Sequence, residues 1–141
     1  MTNTFSAQAW YLAISSHEVR QVLAFASPQI RYEDVPTSTV SEGQSAVKAF
    51  FERVWAAIPD MQMVPTTVLT TGSALAVEWI ATGTHSGDFP GLPATGNPFH
   101  IRGISMIELV GGQVQRVSDY WDLAGSGLLS PPSQEMSEQD G

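Results

Sequence analysis

After Asp60 the hydrophobic rhythm of this chain changes, and that change limits the possible folds more than any other feature. Before it, apolar residues recur at helical spacing: Val19, Val22, Leu23 and Ala26 form one stripe in "SSHEVRQVLAFA", and Val47, Phe50, Phe51, Val54 and Ile58 form a stronger one. After it, "MQMVPTTVLTTG", "ALAVEWIATGTH", "FHIRGISMIELV" and "QVQRVSDYWDL" read as strands. Tight turns are expected near Thr71-Gly72-Ser73 and at Gly111-Gly112. Helices followed by antiparallel strands predict an α+β fold, with the helices laid on one face of a curved sheet. A sheet wrapped around helices in this way can leave a cavity between them.

The boundaries follow from local chemistry. A first helix is expected over roughly Ala7 to Ile14, divided from the second by a capping box of Ser15 and Glu18. Pro28 is expected to end the second helix, and "IRYED" to form a short strand closed by Pro36. Ser41 and Gln44 suggest another capping box, and Pro59-Asp60 stops the third helix. Residues 1–129 are expected to form one domain. The acidic, proline-bearing "SPPSQEMSEQDG" at 130–141 reads as a disordered tail.

Charge narrows the partners. Fourteen acidic against six basic residues give a net charge of −8, and Lys48 is the single lysine. Nucleic acid and anionic lipid both call for clustered cations, so neither is expected. The chain has no cysteine, which removes thiolate chemistry and disulfides. No apolar run approaches the ~20 residues of a membrane span, and "MTNTFSAQAW" lacks the marks of a secretory signal, so the cytoplasm is the expected compartment.

Two segments carry most of the possible chemistry. In "ALAVEWIATGTH", Leu75, Val77, Trp79 and Ala81 alternate as an inward face, and the same phase leads to His85 at the rim of whatever Trp79 lines. His85 reads either as a loop anchor or as a direct participant. In "VSDYWD", Ser118, Tyr120 and Asp122 share one face of a strand, while Asp119 and Trp121 share the other. A carboxylate at the end of an interior strand would be partly desolvated and its pKa raised, which suits a general base. Tyr32, Glu33 and Asp34 form a second polar patch, with Asp34 able to be simply a turn residue. Trp55, Met61, Met63 and Met106 suit an apolar wall as well as a core. Neither GxGxxG nor GxxxxGK[ST] nor HExxH nor GxSxG occurs, and His17, His85 and His100 are scattered, so no cofactor and no metal are expected.

The stretch "GTHSGDFPGLPATGN" followed by a strand, with "GGQVQRVSDYWDLAG" beyond, resembles the SnoaL-like polyketide cyclase family. Gly83, Thr84, His85, Gly87, Gly91, Pro93, Thr95 and Gly96 match the family's loop pattern, and Ile58 to Asp60 resemble the end of its third helix. The resemblance implies the cone of nuclear transport factor 2-like proteins, shared with ketosteroid isomerase and limonene epoxide hydrolase, in which long loops cover the open end of the sheet. It also implies a homodimer and a cofactor-free cyclase acting through an aspartate, which by position matches Asp122. On that reading His85 or Tyr120 assists, and Trp79, Tyr120, Ser118, Trp55, Met106 and Asp34 contact a small apolar, polyketide-like carbonyl compound. Two alternatives remain open: paired carboxylates, such as Asp122 with Asp34 or Glu108, that open an epoxide, and a binding or dimerisation protein without turnover.

Overall fold

The computed structural model describes residues 4–89 and 91–129. The segment expected as a tail, 130–141, lies outside the described residues. Helix α1 (Ala7–Ser15) starts at Ser6, whose Oγ accepts the Ala9 N–H at 3.0 Å. It is followed by α2 (Val19–Leu23), β1 (Ala26–Asp34), β2 (Thr39–Glu42), α3 (Gln44–Ala57), β3 (Gln62–Thr71), β4 (Ala74–Thr84), β5 (Pro98–Val110) and β6 (Gln113–Trp121). The strands form one sheet in the order β2-β1-β6-β5-β4-β3. All neighbours are antiparallel except β1 and β6, the first and last strands in the chain, which run parallel. This is the expected α+β architecture, with α1 lying against β3 and α3 against β1.

Three boundary expectations change. Pro28 does not end a helix; α2 stops at Leu23, and Pro28 is an exposed residue inside β1, where its missing N–H leaves no ladder bond unmade. Ser15 closes α1 instead of capping α2: its Oγ accepts the Met63 N–H at 2.9 Å and donates to the Met63 carbonyl at 3.1 Å, pinning the helix to β3. Ser41 belongs to β2, and α3 starts from Gly43 at φ +86°, with Gln44 Nε2 donating to the Ala26 carbonyl at 3.2 Å. The hairpins are as expected. Thr71 pairs with Ala74 around Gly72-Ser73, and Val110 with Gln113 around Gly111 and Gly112. Those two glycines sit at φ 58° and 78°, the left-handed pair that a two-residue hairpin needs.

Inward-facing residues of the sheet meet the helices in one core. Trp10, Ile14, Val22, Ile30, Val47, Val77, Val114 and Val117 are fully buried within it. The inward set on β4 is the expected Leu75, Val77, Trp79 and Ala81. On β6 the alternation is broken. Glu108 pairs with Arg116 but Leu109 with Val114, so one residue bulges between them. Counting in twos from buried Val114 would place Ser118, Tyr120 and Asp122 inward. The bulge shifts the count by one and turns Val117, Asp119 and Trp121 inward instead. No helix among the described residues is long and apolar enough to cross a membrane.

Candidate active site

The site is built by register. Pairing aligns Asp34 of β1 with Asp119 of β6, and Asp119 with Ser105 of β5. The next row holds Trp121, Gly103 and Trp79. Two carboxylates and two indoles therefore share the inner face of four adjacent strands. They line a cavity of about 100 Å³ whose apolar wall is completed by Phe50, Phe51 and Val54 of α3, by Met61 and Met63, and by Phe89 and Leu92 of the 85–97 loop.

Each Asp119 oxygen accepts a hydrogen bond: Oδ1 from the Ser105 hydroxyl at 2.5 Å and Oδ2 from the Tyr32 phenol. Trp79 Nε1 donates to Ser105 Oγ at 2.8 Å, so the Ser105 hydrogen is directed to the carboxylate. Burial pushes the Asp119 carboxyl up to about 7; the two donated bonds oppose that rise, and the neighbouring Asp34 charge adds to it. Burial also raises Asp34, against bonds from Thr37 and from Trp121 Nε1, the latter at 2.7 Å. Tyr32 is raised well above the ordinary phenol value, by burial first and then by the Asp119 charge. The cluster thus holds a carboxyl balanced between acid and base in neutral solution. Among the described residues no three histidines, aspartates or glutamates converge as metal ligands would.

The loop at 85–97 is fastened at both ends. His85 is fully buried and lines the cavity, with both ring nitrogens engaged. Nε2 faces the Leu92 carbonyl at 3.1 Å, and since a carbonyl only accepts, Nε2 carries a proton; Nδ1 is hydrogen-bonded with Thr95 Oγ1 at 3.2 Å. The Ser86 and Gly87 amides bond the Ala57 carbonyl at 3.0 and 2.9 Å. Asp60 takes the Thr84 N–H at 2.8 Å and the Thr84 hydroxyl at 2.9 Å, bonds that hold its carboxyl below the usual range. This explains why "IPD" stands at the end of α3: it is the anchor for the start of the loop.

Of the residues singled out from the sequence, Asp34, Trp79 and His85 line the cavity, together with Tyr32, Met61, Met63, Asp119 and Trp121. The remaining candidates, Asp122, Tyr120, Ser118, Met106 and Trp55, are placed elsewhere, and the bulge accounts for the first three. Asp122 lies beyond β6, where its Oδ1 accepts the Gly125 N–H at 3.0 Å, and with the half-exposed Tyr120 it borders a shallow open groove beside Glu78 and Arg102. Ser118 is fully buried but outside the cavity lining, and its Oγ has no hydrogen-bond partner among the described residues. Met106 faces out of the sheet on the row of Ser118. Trp55 is a core residue: its ring stacks on His17 at 5.2 Å and tilts against Phe51 at 5.3 Å, and it does not reach the cavity. Glu108, the other suggested partner carboxylate, is paired with Arg116 at 2.8 Å on the outer face. Asp122→Asn is therefore expected to cost no more than about 1 kcal/mol, from a weakened turn bond, and to leave ligand binding unchanged in a side-by-side titration with the parent protein.

A model of the SnoaL-like polyketide cyclase family matches residues 4–127. This chain belongs to that family. No curated protein matches it. Among solved structures it is similar to a hypothetical protein of Catenulispora acidiphila DSM 44928 with a ketosteroid isomerase-like fold, in complex with trimethylamine, at TM-score 0.77 and 16% identity over 89% of this chain and 92% of that one. A Pseudomonas putida KT2440 protein provisionally assigned as a polyketide cyclase aligns at TM-score 0.72 and 23% identity, over 88% and 94% of the two chains. IdmH of Streptomyces antibioticus, with the same provisional assignment, aligns at TM-score 0.69 and 22% identity, over 82% and 88%. At these identities the likeness establishes the cone fold. In this member of the family the residues that the sequence left unweighted are Ser105 and Trp121, together with Phe50, Phe89 and Leu92 of the wall. Tyr32 was visible only as part of a polar patch, and Asp119 only as a residue on the strand face opposite Asp122.

Proposed function

We propose that this chain is a cofactor-independent cyclase or isomerase in which Asp119 moves a proton at a carbon next to a carbonyl group. One observation carries the reading: an inward carboxyl held at about 7, hydrogen-bonded on both oxygens and facing an aromatic cavity. As carboxylate it removes the proton, and as acid it returns one after the new bond has formed, with no net change in the protein. Tyr32, which lines the same cavity and donates its one hydrogen to Asp119, can turn that O–H to the developing enolate oxygen as the carboxylate takes up the proton. Phe50, Phe51, Trp79 and Trp121 would fix a flat apolar substrate by shape. The cavity is smaller than the roughly 300–1,000 Å³ of a typical ligand pocket, so a multi-ring substrate enters by displacing the Phe89 and Leu92 side chains from its wall.

The test is solvent exchange. An aromatic β-keto ester incubated with the protein in deuterated water should gain deuterium at its acidic carbon, and Asp119→Asn should suppress that gain. Equal exchange with and without the carboxylate overturns the reading. The alignment of Asp34 with Asp119 also favours a second reading, in which the pair activates water against an epoxide; oxygen-18 from water in the diol product would select it.

The homodimer belongs to the same proposal. Val64, Leu69, Ile104, Met106 and Tyr120 are exposed on the outer face of the sheet and supply an apolar patch for a second copy. Sedimentation velocity should give a dimer for the parent chain and a monomer for Ile104→Lys; a parent monomer at high micromolar concentration removes this part.

A further inference from the structure

Beyond β6 the chain turns back on the site. The turn starts at Asp122, whose Oδ1 accepts the Gly125 N–H at 3.0 Å. Ser126 then uses one oxygen twice: Oγ donates to the Leu123 carbonyl at 2.7 Å and accepts the Leu128 N–H at 3.0 Å. The Ser126 N–H bonds the same carbonyl at 3.2 Å. Gly127, at φ +86°, supplies the left-handed step that the reversal needs. The product of this hook is Leu128, which is buried in the core and lines the cavity.

Leu128 differs from the rest of the wall in how it is held. Most lining residues belong to α3 or to the strands, and Phe89 and Leu92 belong to a loop bonded to the end of α3. Among the described residues, the hydrogen bonds of 122–128 all lie within that segment. The hook and the apolar contacts of Leu123 and Leu128 are therefore what keep this part of the wall in place. The family match ends at residue 127, so membership of the family does not by itself give Leu128 a role.

Volume makes the placement matter. With Leu128 in position the cavity measures about 100 Å³. An engineered apolar cavity that binds benzene measures about 150 Å³. A single aromatic ring already exceeds the room at hand, so binding it costs the displacement of wall side chains.

We propose that Leu128 is the size-selecting residue of the cavity, and that Ser126 is a positioning residue that holds it there. Leucine at this position favours compact ligands, and a shorter side chain extends the range to fused aromatic rings. The proposal rests on the cavity being the ligand site, but it does not depend on proton transfer by Asp119.

The probe is 2-acetylnaphthalene, a neutral two-ring ketone, titrated by calorimetry. Leu128→Ala should bind it about tenfold more tightly than the parent, because one buried leucine side chain no longer has to be pushed into solvent. Ser126→Ala keeps the leucine but undoes the hook, and should tighten binding by a smaller factor. In the Leu128→Ala background it should have no effect, because Ser126 acts through Leu128. Leu75→Ala, which shortens a similarly buried leucine outside the cavity lining, should leave the affinity as it is.

An affinity unmoved by Leu128→Ala, or raised equally by Leu75→Ala, overturns the proposal. So does an equal effect of Ser126→Ala in both backgrounds, or binding by neither the parent nor Leu128→Ala. Should Leu128→Ala fail to fold, Leu128→Val shortens the side chain by one carbon and must still tighten binding. Tighter binding by Leu128→Ala, together with deuterium exchange that is equal with and without the Asp119 carboxylate, would keep this role for Leu128 and remove the proton transfer instead.

Discussion

Asp119→Asn is expected to suppress the proposed proton transfer and yet to make the protein more stable in alkaline solution. The catalytic loss is that of a positioned acid–base group, about 10²–10⁴-fold. The stability gain follows from linkage. The carboxyl titrates at about 7 in the folded chain against a reference value of 3.8. Between those values the native state holds a proton that the unfolded state has released. Stability therefore falls as pH rises from about 4 to about 7, and is level above that. The lost stability approaches about 4 kcal/mol at pH 8, since each unit is worth about 1.4 kcal/mol. Asparagine carries no charge at any pH and recovers most of it, less about 1 kcal/mol for the poorer fit of its NH₂ against the Ser105 and Tyr32 hydroxyls. Urea titrations at pH 4 and pH 8 should show the variant slightly weaker at the first and clearly stronger at the second. A constant difference would mean that Asp119 does not titrate in this range, and the proton-moving role would fail with it.

The second large effect is expected at Gly103, where the needed space is taken by Trp79. A Cβ at this position would lie 2.5 Å from Cζ2 of the Trp79 ring and 2.8 Å from the Tyr120 carbonyl oxygen. The carbonyl is ladder backbone and cannot yield, so the indole must. Gly103→Ala is expected to cost about 2–3 kcal/mol as overpacking, seen as a fall of roughly 5–10 °C in Tm. The displaced Trp79 Nε1 would also lose Ser105, which sets the direction of the Ser105 hydrogen. The variant should therefore bind a pocket ligand poorly even at low temperature, where it is folded. Calorimetry together with a binding titration separates the two consequences. If Tm is unchanged, the Trp79–Gly103 contact is not what fixes the indole.

How much of this was legible in the sequence depends on the range of the interaction. The inward set on β4 could be read because Leu75, Val77, Trp79 and Ala81 alternate without a break. Both hairpins could be read because their turns carry glycine at the positions that demand it. The role of His85 as a loop fastening was one of two readings, and only the positions of Leu92 and Thr95 around its ring settle that bonding. Asp122 was favoured by its position in the family pattern, and which of Asp119 and Asp122 faces inward could not be read, because a single bulged residue in β6 exchanges the faces and a bulge of ordinary polar residues leaves no mark in composition. β2 was missed because "TVSE" is four residues at the sheet edge, too short to show a period. The pairing of Asp34 with Asp119 was out of reach altogether, since it depends on a parallel contact between strands that no local pattern announces.

That contact sets the order of events when the chain folds. The hairpins β3–β4 and β5–β6 close over short loops, so they can form early, whereas β1 must find β6 across almost the whole domain. The carboxylate pair, the Tyr32 bond to Asp119 and the Trp121 bond to Asp34 all cross this one seam. A partly folded chain can therefore possess most of its sheet, with the Trp79–Ser105–Asp119 bonds in place, and still lack the carboxylate pair. The cluster is complete only when the two ends of the strand sequence meet.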